Sequence, residues 1–134
     1  TGAATAGTTL TSIGTCAIPA GLLAAGDRVD IRFDFEHQGT AAGFTLEVRW
    51  GSTVALHRDA VSPDVLASGR VDAAILASGA RLSTQSWGTV LPFAAGVASA
   101  SDAYAGGIVV DLQGKVANAA DTLILRQFTV VRLP

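Results

Sequence analysis

Between Asp27 and His37 the chain alternates strictly. Val29, Ile31, Phe33 and Phe35 are apolar, and Arg28, Asp30, Arg32, Asp34 and Glu36 between them are charged. Successive side chains of a β-strand point to opposite faces, so this stretch folded as a strand has one greasy face and one ionic face. Wound as a helix, the same residues would mix all round the cylinder. The β-branched and aromatic residues on the apolar face agree with the strand. Phe44, Leu46, Val48 and Trp50 repeat the pattern, alternating with Thr45, Glu47 and Arg49. Two such ribbons must bury their apolar faces, and the economical solution is sheet upon sheet.

The stretch Gln38–Gly43 between the two ribbons reads as a hairpin loop. Matching their core faces in one sheet sets Phe33 beside Leu46, Asp30 beside Arg49 and Arg32 beside Glu47. A slip of two residues would oppose like charges. Each opposite-charge pair is worth roughly 0.2–1 kcal/mol, so the first register is expected. Gly51-Ser52 reads as a tight turn into a strand Thr53–Arg58, and Val61–Asp64 as a loop. Further strands are expected at Thr8–Ile13, Thr15–Ile18, Arg70–Ala77, Leu82–Trp87, Ile108–Leu112 and Thr122–Val131. Thr89–Phe93 reads as a continuation after a bend, with Pro92 marking an end. Ala94–Gly107 shows no period and reads as irregular, with room for a short helical turn. About eight short strands separated by glycine turns predict a single-domain antiparallel β-sandwich over residues 8–134. Residues 1–7 are small and polar and read as a flexible arm or a linker from something upstream.

Composition limits the function. A chain of 134 residues suits one domain. The net charge of −2 offers no basic footprint, so no nucleic-acid partner is expected. No stretch approaches the about 18 apolar residues of a membrane helix, and no membrane partner is expected. Cys16 is the one cysteine, which excludes an intrachain disulfide and a cysteine zinc site. Its setting, Gly14-Thr15-Cys16-Ala17-Ile18, suits a small hydrophobe rather than a nucleophile. His37 and His57 lack metal-ligand spacing with Asp34, Glu36 or Asp59, and read as solvated strand-end histidines. Asp27 with Asp30 lacks the run of a calcium loop. Asp34, Glu36 and Glu47 would serve a glycosidase only if burial raised a pKa. Instead they share the ionic faces with Arg28, Arg32 and Arg49, which lower it, so a charge-paired surface is expected. No cofactor and no enzymatic activity are predicted. For a small ligand the candidates are aromatic. Trp50 belongs to a core stripe. Trp87 has polar neighbours, Tyr104 lies in a small-residue loop, and His37 ends its strand. Trp87, Tyr104 and His37 are therefore the expected ligand-binding residues, stacking on a sugar ring.

The run Ile18-Pro19-Ala20-Gly21-Leu22-Leu23-Ala24-Ala25-Gly26-Asp27 leads into the first ribbon. It is followed by Gly39-Thr40-Ala41, by Trp50-Gly51-Ser52-Thr53 and by the close Leu123–Arg132. This order of turns and strands resembles bacteriophage virion modules of the tail-fibre, spike and head-fibre type. The resemblance implies a jelly-roll-like sandwich, a homotrimer, contact with other virion proteins and with a host surface glycan, and a virion or extracellular location. It carries over no binding residue, because the shared positions are scaffold. A thin core, rich in alanine and with 6% aromatics, independently suits a chain that buries more surface by oligomerising. The alternative from another class is a carbohydrate-binding module of a secreted multidomain protein.

Overall fold

The computed structural model describes residues 2–134. Its regular structure is entirely strand: β1 Ala4–Thr5, β2 Thr11–Ile18, β3 Arg28–Gln38, β4 Phe44–Trp50, β5 Thr53–Ala60, β6 Val65–Ile75, β7 Ala80–Gly88, β8 Ala94–Ala100, β9 Ile108–Val116 and β10 Thr122–Leu133. They form two antiparallel sheets, ordered β1-β10-β3-β6-β7-β8 and β2-β9-β4-β5. With the β7–β8 hairpin set aside, eight strands remain. Their order is first-eighth-third-sixth in one sheet and second-seventh-fourth-fifth in the other, which is jelly-roll order. The expected sandwich is therefore present, with the β7–β8 hairpin extending the larger sheet.

The apolar stripes meet in the middle. Val29, Ile31, Phe33 and Phe35 of β3 face Leu46, Val48 and Trp50 of β4, all essentially closed to solvent. Each fully buried large side chain of this kind contributes about 1.5–3 kcal/mol. In β10 the alternation changes phase. Leu123 and Leu125 point inward, a bulge falls at Arg126, and Phe128 and Val130 then pack on the core. The extra residue restores the inward face after Arg126-Gln127 interrupts the pattern.

Three expectations are corrected. β3 and β4 do not form a hairpin: β3 pairs with β10 and β6, and β4 with β9 and β5. Residues 39–43 carry the chain from one sheet to the other. Gly39 (φ 140°) and Gly43 (φ 88°) both take backbone angles closed to other residues. A Cβ at Gly43 would run into the Ala60 carbonyl, and one at Gly39 into the Asp121 carboxylate. The proposed register falls with the hairpin, since alternation specifies which face is buried and not which strand lies alongside. Second, Ala94–Ala100 is strand β8, with no helical turn, and residues 89–93 form the loop before it. β8 hides its period because it is an edge strand of small residues, mostly exposed on both faces. Third, residues 2–7 are not separate from the sandwich. Ala4 and Thr5 pair with Ile124 and Leu123, and the Ala3 amide donates to the Ile13 carbonyl at 2.7 Å.

Candidate functional site

The ionic face of β3 lies at the centre of the outer surface of the six-stranded sheet. Register assembles that surface into rows that cross the strands. One row runs Gln127, Asp34, Ser68, Trp87; the next runs Thr129, Arg32, Arg70, Gln85. Between them lies a trough of about 290 Å³. Alternation turns the side chains of Phe33 and Phe128 inward and Gly69 has none, so backbone floors the trough. Trp87 stands at one end, 43% exposed, stacked on Phe93 with ring centroids 6.5 Å apart and planes 19° from parallel.

The rows place like charges opposite each other. Arg32 is the cross-strand partner of Arg70, and Asp30 of Asp72. Opposite charges meet along the strands instead: Arg32 Nε lies 3.2 Å from Asp30 Oδ2, and Arg70 Nε 3.7 Å from Asp72 Oδ2. At that distance Arg70 Nε has no hydrogen-bond acceptor among the described residues, and Asp30 Oδ1 is likewise buried and unpartnered. Burial, then the hydrogen bond and charge of Asp30, push the Asp72 carboxyl above the usual carboxylate range against the opposing pull of Arg70 and Arg28. Across β3 and β10, Arg126 Nε donates to Glu36 Oε1 at 3.2 Å. That contact is the largest influence holding the Glu36 carboxyl below its ordinary value.

Of the three aromatic candidates, the trough takes only Trp87. His37 is fully buried. The alternation that turns Phe35 inward turns His37 inward too. Its ring stacks on Phe44 at 5.0 Å, and its Nε2 lies 3.2 Å from Asp121 Oδ2, which assigns the proton to that nitrogen. Asp121 also accepts the Thr40 amide at 2.8 Å and the Thr40 hydroxyl at 2.9 Å. Burial alone would raise the Asp121 carboxyl; the Thr40 and His37 donors outweigh it and hold its pKa below the ordinary value. His37 and Asp121 thus staple the crossover loop to the β9–β10 loop. Tyr104 is half-buried against the core rather than free in a loop, and its hydroxyl donates to the Leu76 carbonyl at 2.7 Å. Its loop is pinned to the β4–β5 turn by Asp102, which accepts the Ser52 amide and hydroxyl, each at 2.7 Å.

On the outer face of the smaller sheet, His57 bridges two carboxylates, with Nδ1 2.8 Å from Glu47 Oε1 and Nε2 3.0 Å from Asp59 Oδ2. The Glu47 hydrogen bond raises the His57 pKa above 6.5, burial opposes this, and Asp59 adds to it. Burial would raise Glu47, but His57 and Arg49 prevail and lower it. With both ring nitrogens donating, His57 is set up as a cation that ties β4 to β5. A group with a raised folded pKa contributes its full stability below its unfolded pKa and loses it as pH rises through the folded value. Wild-type stability therefore falls relative to His57→Gln as pH is raised from 6.5 upward. Paired urea melts across that range check this; identical pH slopes would remove the ion pair from the account.

Asp27 is likewise structural: its carboxylate accepts the Ala24 amide and Arg132 Nε, each at 3.0 Å. Cys16 is a free, half-buried thiol packed on the core. Among the described residues no three His, Cys, Asp or Glu side chains converge as metal ligands. The Arg32–Arg70 pair and the Asp121 staple escaped the reading of the sequence. Both depend on partners 38 and 84 residues away in the chain, and neither leaves a local signal. Comparison with protein-family models, curated proteins and solved structures finds no match to this chain.

Proposed function

We propose that this chain is a non-enzymatic structural module of a virion or comparable surface assembly. In this reading three copies associate, and the outer face of the larger sheet meets a glycan of the host surface. The observation that carries it is the β8 edge. Natural sheets blunt an open edge with charge, proline or a bulge. β8 reads Ala94-Ala95-Gly96-Val97-Ala98-Ser99-Ala100 and has none of these. Val97 is 73% exposed, and Phe93, which precedes the strand, is 64% exposed. Contiguous apolar surface at an unpaired edge suits a protein contact.

The opposite margin of the same sheet is open as well. β1 and the two residues before it cover Leu123 to Leu125 of β10, and Val131 and Leu133 beyond them are exposed. Two different open edges on one sheet favour head-to-tail contact, which closes into a ring when the rotation allows. Light scattering at micromolar concentration is expected to give three times the 13.5 kDa of one chain. The double substitution Ala95→Lys, Val97→Lys is expected to return it to one. A monomeric wild type refutes the assembly reading. It would favour the alternative, a carbohydrate-binding module of a secreted multidomain protein, for which the exposed Trp87–Phe93 pair speaks.

A further inference from the structure

We infer that the trough between the Trp87 row and the Arg70 row binds an acidic saccharide, a pyranose carrying a carboxylate. The inference rests on the reading of this face as the one that meets a glycan, and it names the chemical class of that glycan.

Arg32 and Arg70 are direct cross-strand partners, an arrangement that costs free energy in an antiparallel pair. Their own acids compensate incompletely. Arg32 has Asp30, but Arg70 Nε, buried under its own side chain, is unpartnered among the described residues, and burial and Asp30 shift the Asp72 carboxyl beside it above the usual carboxylate range. Guanidinium forks match a carboxylate in plane and in charge, so an anionic group seated between them relieves the conflict.

The other wall adds the remaining specificity. Asp34 faces the trough and would repel a bare anion. Its Oδ1 is occupied by the Ser68 hydroxyl at 2.6 Å, which leaves Oδ2 to accept from a ligand hydroxyl. Gln127 stands beside it and Gln85 beside Arg70 across the trough, with amides that both donate and accept. Trp87 closes the end with an exposed indole, suited to the C–H face of a ring. Neighbouring positions here lie about 5 Å apart across the strands and about 7 Å along them, so indole and guanidinium are a sugar's length apart. One ligand satisfies all three demands: an anionic group for the arginines, hydroxyls for Asp34 and the glutamines, and an apolar face for Trp87. Pairing at the β8 edge extends the sheet sideways and leaves this face open.

The test is calorimetric titration of the full chain with a galacturonic-acid trisaccharide, its neutral galactose counterpart and sodium sulfate, with scattering mass recorded on the same samples. The uronide is expected to bind and the neutral sugar not to. Arg70→Gln and Trp87→Ala should each weaken binding by about tenfold or more, with mass and strand circular dichroism unchanged. Equal binding of the neutral sugar overturns the role of the arginines. Sulfate binding as tightly as the uronide, with Trp87→Ala silent, reduces the trough to a bare anion site and overturns the saccharide. A trimer that binds none of the three probes overturns this inference and leaves the assembly reading standing. Uronide binding by a monomer does the reverse.

Discussion

Asp121→Ala is expected to lower the thermal midpoint on the order of 10 °C, far more than removal of an exposed acid such as Asp64. The reason is the number of donors that converge on this carboxylate where solvent is absent. The Thr40 amide, the Thr40 hydroxyl and His37 Nε2 all lose their acceptor together. Among the described residues His37 is already without a partner at Nδ1, so its ring would be left buried and unsatisfied at both nitrogens. Gly39 wraps so closely round the carboxylate that the loop is shaped to it. Because the Asp121 pKa is lowered in the folded chain, its contribution is present above the ordinary value of 3.8 and is lost as pH falls through the folded value. Asp121→Asn keeps the volume and one acceptor, removes that acid-side dependence, and is expected to fall between wild type and alanine. Scanning calorimetry at neutral and acidic pH measures both effects. A midpoint no lower for Asp121→Ala than for Asp64→Ala would show that the staple contributes nothing.

The second large effect lies at the centre of the sandwich. Trp50 is completely buried, and Trp50→Ala is expected to cost about 3–5 kcal/mol. Against a typical domain stability of about 5–15 kcal/mol, that brings the chain near unfolding. Trp50→Phe, which leaves a smaller cavity, should cost clearly less than Trp50→Ala. The indole Nε1 is buried without an acceptor among the described residues, so the smaller ring loses contacts but sheds an unsatisfied donor. Urea unfolding gives the two free energies directly. Equal losses for phenylalanine and alanine would mean that the buried ring volume does not stabilise this site. Trp50→Phe also leaves Trp87 as the one indole, so its emission becomes a direct probe of the trough.

The alternation from Val29 to Phe35 and from Phe44 to Trp50 was sufficient, on sequence alone, to establish strands, their buried faces and a sheet-on-sheet core. Side-chain direction in a strand is a local property, settled by the pleat, and so it can be read from neighbours. The Trp50-Gly51-Ser52 turn was legible for the same reason. β8 was not, because alanine, glycine and serine at an open edge carry no contrast between faces. Trp87 was recognisable as a candidate from its polar neighbours. His37 was misjudged, although its odd-numbered place after Phe35 already put it on the inward face; a buried histidine needs a partner, and Asp121 lies 84 residues away.

Which strand lies beside which was decided only in three dimensions. The first two ribbons, adjacent in the chain, ended in different sheets because two left-handed glycines and one buried carboxylate turned the chain across the core. That choice set Arg32 against Arg70 instead of Glu47 and so created the trough. Local alternation costs nothing to express in sequence, whereas pairing is won by the sum of contacts over the whole sandwich. No single segment carries that sum, so the faces could be read residue by residue while the site had to wait for the fold.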